Sequence, residues 1–220
     1  MPNDGASTIR NGDKILFIGD SITDCGRRDV EAPLGNGYVK LFHDLLLSRQ
    51  PDWRVQIVNK GIGGDTVIGL RNRWTDNVLR HAPDWLSVKI GINDLHGALL
   101  NGGPDAITPD RYRAAYTEIL ERTTTALPDC RLLLIDPFYI STDPAPTSFR
   151  HQVLDLLPEY LDTVHALSEQ YGTRLVRTHE LFRRLLEHHD PDVFCPEPVH
   201  PHLTGHMVIA NAVYDALTDA

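Results

Sequence analysis

Eleven histidines make any one of them weak evidence, but two residues stand in unusual places. Ser21 follows the apolar run Ile15-Leu-Phe-Ile18 within Gly19-Asp20-Ser21, where a strand ends and a helix begins. His200 lies in a proline-rich loop, three residues after the carboxylate of Glu197. A hydroxyl, an imidazole and a carboxylate are the parts of a hydrolytic triad. The ring takes the hydroxyl proton as the oxygen attacks, and the carboxylate orients the ring. The competing role for Ser21 is that of a helix N-cap. The Gly-x-Ser-x-Gly elbow of α/β-hydrolases is absent, since Thr23 stands where its second glycine would be.

Gly61-Ile-Gly-Gly64 fails as a dinucleotide loop, because position 66 is Thr66. Its glycines suit a tight strand-to-helix turn, and its amides could face an oxyanion. His200, His202 and His206 with Glu197 resemble a metal cluster only in composition. No His-Glu-x-x-His and no second ligand group accompanies them, so no metal and no cofactor is expected. His202 reads as a residue at a helix N-terminus and His206 as a hydrogen-bonded packing residue.

The elements that must position these residues alternate regularly. Strands are expected at Ile15–Ile18, Val55–Val58, Trp85–Ile90, Leu132–Ile135 and Arg174–Arg177. Helices are expected at Tyr38–Leu47, Val67–His81, Pro109–Leu127, Val153–Tyr171 and Leu203–Leu217. Pro158 should interrupt or kink the fourth helix, or mark its true start. Asn101-Gly-Gly-Pro104 reads as a loop. Strands alternating with long helices imply parallel pairing, hence a three-layer α/β/α sandwich formed by residues 1–220 as one domain. Ligands of such sheets bind beyond the carboxyl ends of the strands. There the three strongest strands end in Gly19-Asp-Ser21, Asn59-Lys-Gly-Ile-Gly-Gly64 and Gly91-Ile-Asn-Asp94.

Composition narrows the partners. Twenty-one basic against 30 acidic residues give a net charge of −9, which argues against a nucleic-acid backbone as ligand. The opening stretch, with Asn3, Asp4, Arg10, Asn11 and Asp13, has no apolar core of a signal peptide. No run approaches the length of a membrane span. Cys25, Cys130 and Cys195 are odd in number and far apart, which fits free thiols in the cytoplasm.

Four blocks then occur in order: Gly19-Asp20-Ser21-Ile22, Asn59-x-Gly61-x-x-Gly64, Gly91-x-Asn93-Asp94 and His200-Pro201. Together they resemble the blocks of the SGNH (GDSL) hydrolase superfamily. The longer strings around Ser21, Gly35-Asn-Gly-Tyr-Val39, Val58–Thr66, Asp136-Pro-Phe-Tyr-Ile140 and Gly205-His-Met207 resemble its bacterial intracellular acetyl xylan esterases. The resemblance implies a flavodoxin-like, five-stranded parallel sheet and metal-free hydrolysis of O-acetyl groups on a carbohydrate through an acetyl-enzyme. It implies Ser21 as nucleophile and His200 as base, with the Ser21 and Gly64 amides and the Asn93 side chain as the oxyanion hole. It also allows a homo-oligomer. The family pattern has Asp three residues before the histidine. Here Glu197 holds that place, and Asp192 is the alternative carboxylate. The rival readings are the same chemistry on another acyl group, as in a lysophospholipase or thioesterase, and a non-catalytic carbohydrate-binding relative.

Overall fold

The computed structural model describes residues 8–103, 106–143 and 145–219. Residues 1–7, with Asn3 and Asp4, and Pro104 of the expected loop lie outside these. Five parallel strands form one sheet: β1 (Lys14–Gly19), β2 (Gln56–Asn59), β3 (Trp85–Lys89), β4 (Arg131–Ile135) and β5 (Arg174–Val176). Their spatial order, β2-β1-β3-β4-β5, is the flavodoxin-like order. The central strands β1 and β3 are buried almost throughout, because helices cover both faces of a parallel sheet. The switch in strand order leaves the ends of β1, β2 and β3 side by side, and all three carry the polar blocks.

The first helix, α1 (Ser21–Asp24), follows β1 directly, and α2 (Tyr38–Arg49) leads on to β2. After β2 comes α3 (Val67–Asn77), and after β3 come α4 (Ile92–Asn101) and α5 (Pro109–Ala126). Two further helices flank β5, α6 (Phe149–Tyr171) and α7 (Thr178–Leu185), and α8 (Leu203–Thr218) closes the described chain. On one face α2 packs against α8; on the other α3, α5 and α6 pack in series.

The expected strands and long helices are present, with local differences. Residues 67–81 form α3 and then a separate 3₁₀ turn, Leu79–His81. The fourth expected helix neither starts nor stops at Pro158. It begins at Phe149, where the Ser148 hydroxyl accepts the His151 N–H at 3.1 Å, and it continues through the proline. Pro158 removes one hydrogen bond, but Val153, Leu157, Tyr160, Val164 and Leu167 bury a face on both sides of it, and that packing holds the helix. The helix start expected at Ser21 is α1, and the structure adds α4 and α7, which were not expected. A four-residue α1 is too short to show a period, and α4 begins at Ile92 directly after Gly91, whose φ is +137°. All three cysteines are free. Among the described residues no helix is long and apolar enough to cross a membrane.

Candidate active site

Ser21 is the first residue of α1, and its cap is Asp20, not the serine itself. The Asp20 carboxylate accepts the Ile22 N–H at 3.0 Å, so the Ser21 hydroxyl is not spent on capping. The Ser21 Oγ instead lies 2.9 Å from His200 Nε2. On the far side of the ring, His200 Nδ1 meets Glu197 Oε1 at 2.5 Å. The same oxygen accepts the His200 N–H at 2.8 Å, and Oε2 accepts the Val199 N–H at 2.9 Å. The extra methylene of glutamate is taken up by this tight turn, in which the side chain folds back on its own loop. Partial burial pushes the Glu197 carboxyl up, but the two amides and the His200 ring outweigh it and leave the group below its ordinary range. Asp192 sits exposed in the 3₁₀ turn Pro191–Val193, and the His200 nitrogen that a carboxylate would orient is taken by Glu197.

The donors expected at the oxyanion are the Ser21 and Gly64 amides and the Asn93 side chain. Gly64 has φ +77° and open space where a Cβ would go, so glycine is needed there for its backbone conformation. Gly61 is needed for a different reason. A Cβ on it would stand 2.3 Å from the Asp24 nitrogen, so β2's loop could not close onto α1. Among the described residues no acceptor takes the Ser21 or Gly64 N–H. Asn93 donates one amide hydrogen to the Asp65 carbonyl at 2.9 Å, which fixes the amide plane and leaves its other hydrogen free.

Side chains outside the expected triad and oxyanion hole hold these loops together. Asp24 accepts the Gly63 N–H at 3.0 Å, and Arg28 pairs with the same oxygen at 2.9 Å. Arg73 pairs with Asp65 at 2.7 Å and also donates to the carbonyls of Lys60 and Gly19, at 2.7 Å and 3.3 Å. Asn59 donates to the Thr23 and Leu34 carbonyls and accepts the Gly61 N–H. Asp94 accepts the Val67 N–H at 2.9 Å and so joins α4 to the start of α3. The block pattern gave a signal for Asn59 and Asp94. Arg73 gave none, being one more polar residue on a helix.

His206 stands apart from His200. It accepts the Tyr38 N–H at 3.3 Å on Nδ1, and its Nε2 lies 3.4 Å from Cys25 Sγ. His202 is the N-cap residue of α8. Among the described residues no three His, Cys, Asp or Glu side chains converge as a metal would require. Cys25 closes α1 beside Ser21, yet it is no rival nucleophile. Burial, with the charges of Asp24 and Asp20, pushes its thiol up to about 12. The centre itself is open, with the side chains of His200 and Glu197 exposed to 59% and 43%. Two surface clefts of about 260 and 180 Å³ lie elsewhere, between α7 and α8 and between α3 and α5.

A flavodoxin-like sheet with a serine, a histidine and a carboxylate beyond its strand ends belongs to the class of ester hydrolases. More narrowly, the chain belongs to the GDSL-like lipase/acylhydrolase family, whose pattern matches residues 17–208. It is 34% identical to an acetylxylan esterase of Geobacillus stearothermophilus over 211 residues, 93% of each chain. The crystal structure of that organism's acetylxylan esterase Axe2 superposes with a TM-score of 0.84 at 33% identity, covering 96% of both chains. An α/β hydrolase from the metagenome of Lake Arreo superposes with a TM-score of 0.83 at 32% identity, covering 95% of this chain and 96% of that one. Catalytic mutants of Axe2 replace a serine, an aspartate and a histidine, the last two separated by three positions.

Proposed function

We propose that this protein is a serine acetylesterase acting on O-acetylated carbohydrates, with Ser21 as nucleophile, His200 as base and Glu197 as the group that orients His200. The observation that carries this reading is the unbroken relay from Ser21 Oγ through both ring nitrogens of His200 to Glu197. As Oγ attacks the acetyl carbonyl carbon, His200 Nε2 takes its proton. The tetrahedral oxyanion then accepts hydrogen bonds from the Ser21 and Gly64 amides and from Asn93 Nδ2. The C–O bond to the sugar breaks, and His200 returns the proton to the departing hydroxyl. Water, deprotonated by the same ring, attacks the acetyl-enzyme and releases acetate. The exposed ring suits this leaving group, since a sugar chain needs an open side on which to lie.

The kinship to acetylxylan esterases supports acetylated xylo-oligosaccharides as the substrate class. We read residues 1–220 as one SGNH hydrolase domain. Free thiols fit the cytoplasm. The test is hydrolysis of p-nitrophenyl esters of increasing chain length, with acetylated xylo-oligosaccharides followed by NMR. Turnover should fall steeply from acetyl to butyryl and be negligible for octanoyl. Equal or faster octanoyl turnover would assign the protein to lipid or thioester chemistry instead.

A further inference from the structure

Lys89 ends β3, opposite Gly19 in the register with β1, directly beside the segment that delivers Ser21. It is fully buried, and its Nζ has no hydrogen-bond partner. A lysine is almost never buried in this way without a compensating charge. The Phe138 ring, 4.7 Å from Nζ, supplies part of the compensation. The titratable groups around it are Asp20 before α1, Asp136 after β4, Cys25 at the end of α1, Cys195 before the Glu197 loop and His206 on α8. Burial drives the Cys25 and Cys195 thiols up to about 12 and His206 down to about 4, so all three are neutral near pH 7.

Of the two carboxylates, Asp136 is already provided for. Its Oδ1 accepts the Thr178 hydroxyl and the His179 N–H, at 2.8 Å and 3.3 Å, and its Oδ2 faces His165 Nε2 at 2.9 Å. Asp20 is not. It is fully buried, Oδ1 holds the Ile22 N–H, and Oδ2 has no partner. Burial drives the Asp20 carboxyl up and the Lys89 ammonium down, and each charge opposes the other's shift without cancelling it.

We propose that Lys89 is a positioning residue for the nucleophile: its ammonium keeps Asp20 ionised, and the Asp20 carboxylate in turn fixes the first turn of α1 and with it the Ser21 hydroxyl and amide. A helix of four residues has little stability of its own, so its cap decides where Ser21 points. Lys89 never touches the substrate. The inference rests on Ser21 as nucleophile, and Ser21→Ala tests that premise separately.

The experiment measures kcat and KM for p-nitrophenyl acetate across pH in the full chain, in Lys89→Met, in Asp20→Asn and in the double variant. Lys89→Met should lower kcat about tenfold near neutral pH, the scale of a lost cap, with KM changed less than about twofold. Without the cation the Asp20 carboxyl rises further, so it is neutral at low pH and regains its charge as pH rises. The deficit of Lys89→Met relative to wild type should therefore narrow toward alkaline pH. Asp20→Asn has no such charge to regain, so the double variant should show no narrowing and be no worse than the poorer single variant. A pH-independent deficit, multiplicative losses in the double variant, or unchanged kcat in Lys89→Met would each overturn the proposal. Should Lys89→Met not fold, carboxyl ¹³C NMR of the wild-type protein decides. Asp20 must be ionised at pH 7, and a protonated Asp20 ends the idea whatever the activity of Ser21.

Discussion

The two halves of the site are built differently. Ser21, Gly64 and Asn93 sit beyond the ends of β1, β2 and β3, and the buried Asn59 and Asp94 with the partly buried Asp65 and Arg73 tie their loops to one another. His200 and Glu197 sit on a loop, with side chains about half exposed, and their geometry is set within four residues by one carboxylate that takes two amides and a ring. The contrast explains where the chain departs from its family pattern. An extra methylene on the loop side is absorbed by a local fold-back. On the strand side there is no such freedom, because a Cβ on Gly61 or Gly19 would collide with backbone, at 2.3 Å and 2.2 Å.

Substitutions on the strand side should therefore cost most. Ser21→Ala should lower kcat by at least about 10⁴-fold, since the remaining donors and substrate binding alone supply little of the rate. An organophosphonate should label Ser21 in the wild type, and label on any other serine would refute the assignment. Asn93→Ala should lower kcat by about 10²–10³ with KM little changed, because its free N–H serves charge that exists only in the transition state. A change confined to KM would make Asn93 a contact of the bound substrate instead.

The loop side should be more forgiving. Glu197→Gln should lower kcat by at least about tenfold, because the neutral amide still orients the ring but cannot stabilise the imidazolium. Asp192→Asn should leave kcat unchanged. If Glu197→Gln were silent, His200 would work as half of a dyad and the fold-back of Glu197 would be a loop device only.

The strands, their parallel pairing and the long helices were legible in the sequence because apolar runs and helical periods report burial, whereas the strand order followed only from the family resemblance. Ser21, Gly64, Asn93 and His200 are picked out by the four ordered blocks and Glu197 by its place three residues before His200, and the structure joins Ser21, His200 and Glu197 by hydrogen bonds. Lys89 and Arg73 were not legible. A lysine at the end of an apolar run looks like a solvated strand end, and only the structure shows it fully buried opposite Gly19 of β1. Ser21 likewise looks like a cap until the structure gives that task to Asp20.

The smallest expected effect is on stability, and it separates the two halves by sign. Asp94 is fully buried at the start of α4; its Oδ1 holds the Val67 N–H, and its Oδ2 has no partner. Burial pushes its carboxyl up from 3.8 to about 7, against the pull of its amide hydrogen bonds. A carboxyl raised in the native state binds its proton more tightly there than in the unfolded chain. Its stabilising contribution is thus full below pH 3.8, declines as pH rises toward 7, and is level above that. Glu197 runs the other way. Its carboxyl is lowered, so its contribution is present above its ordinary value of 4.5 and is lost as pH falls through the native value. Being half exposed, it contributes little. Asp94→Asn keeps an oxygen for the Val67 N–H but cannot ionise. The Tm of this variant minus that of wild type should therefore climb between pH 4 and pH 7 and then level off. The same difference for Glu197→Gln should fall slightly as pH rises through the acid range. Thermal melts over that range decide the matter. A constant difference for Asp94→Asn would mean that its unpartnered oxygen is solvated after all, and that the strand side carries no more electrostatic strain than the loop.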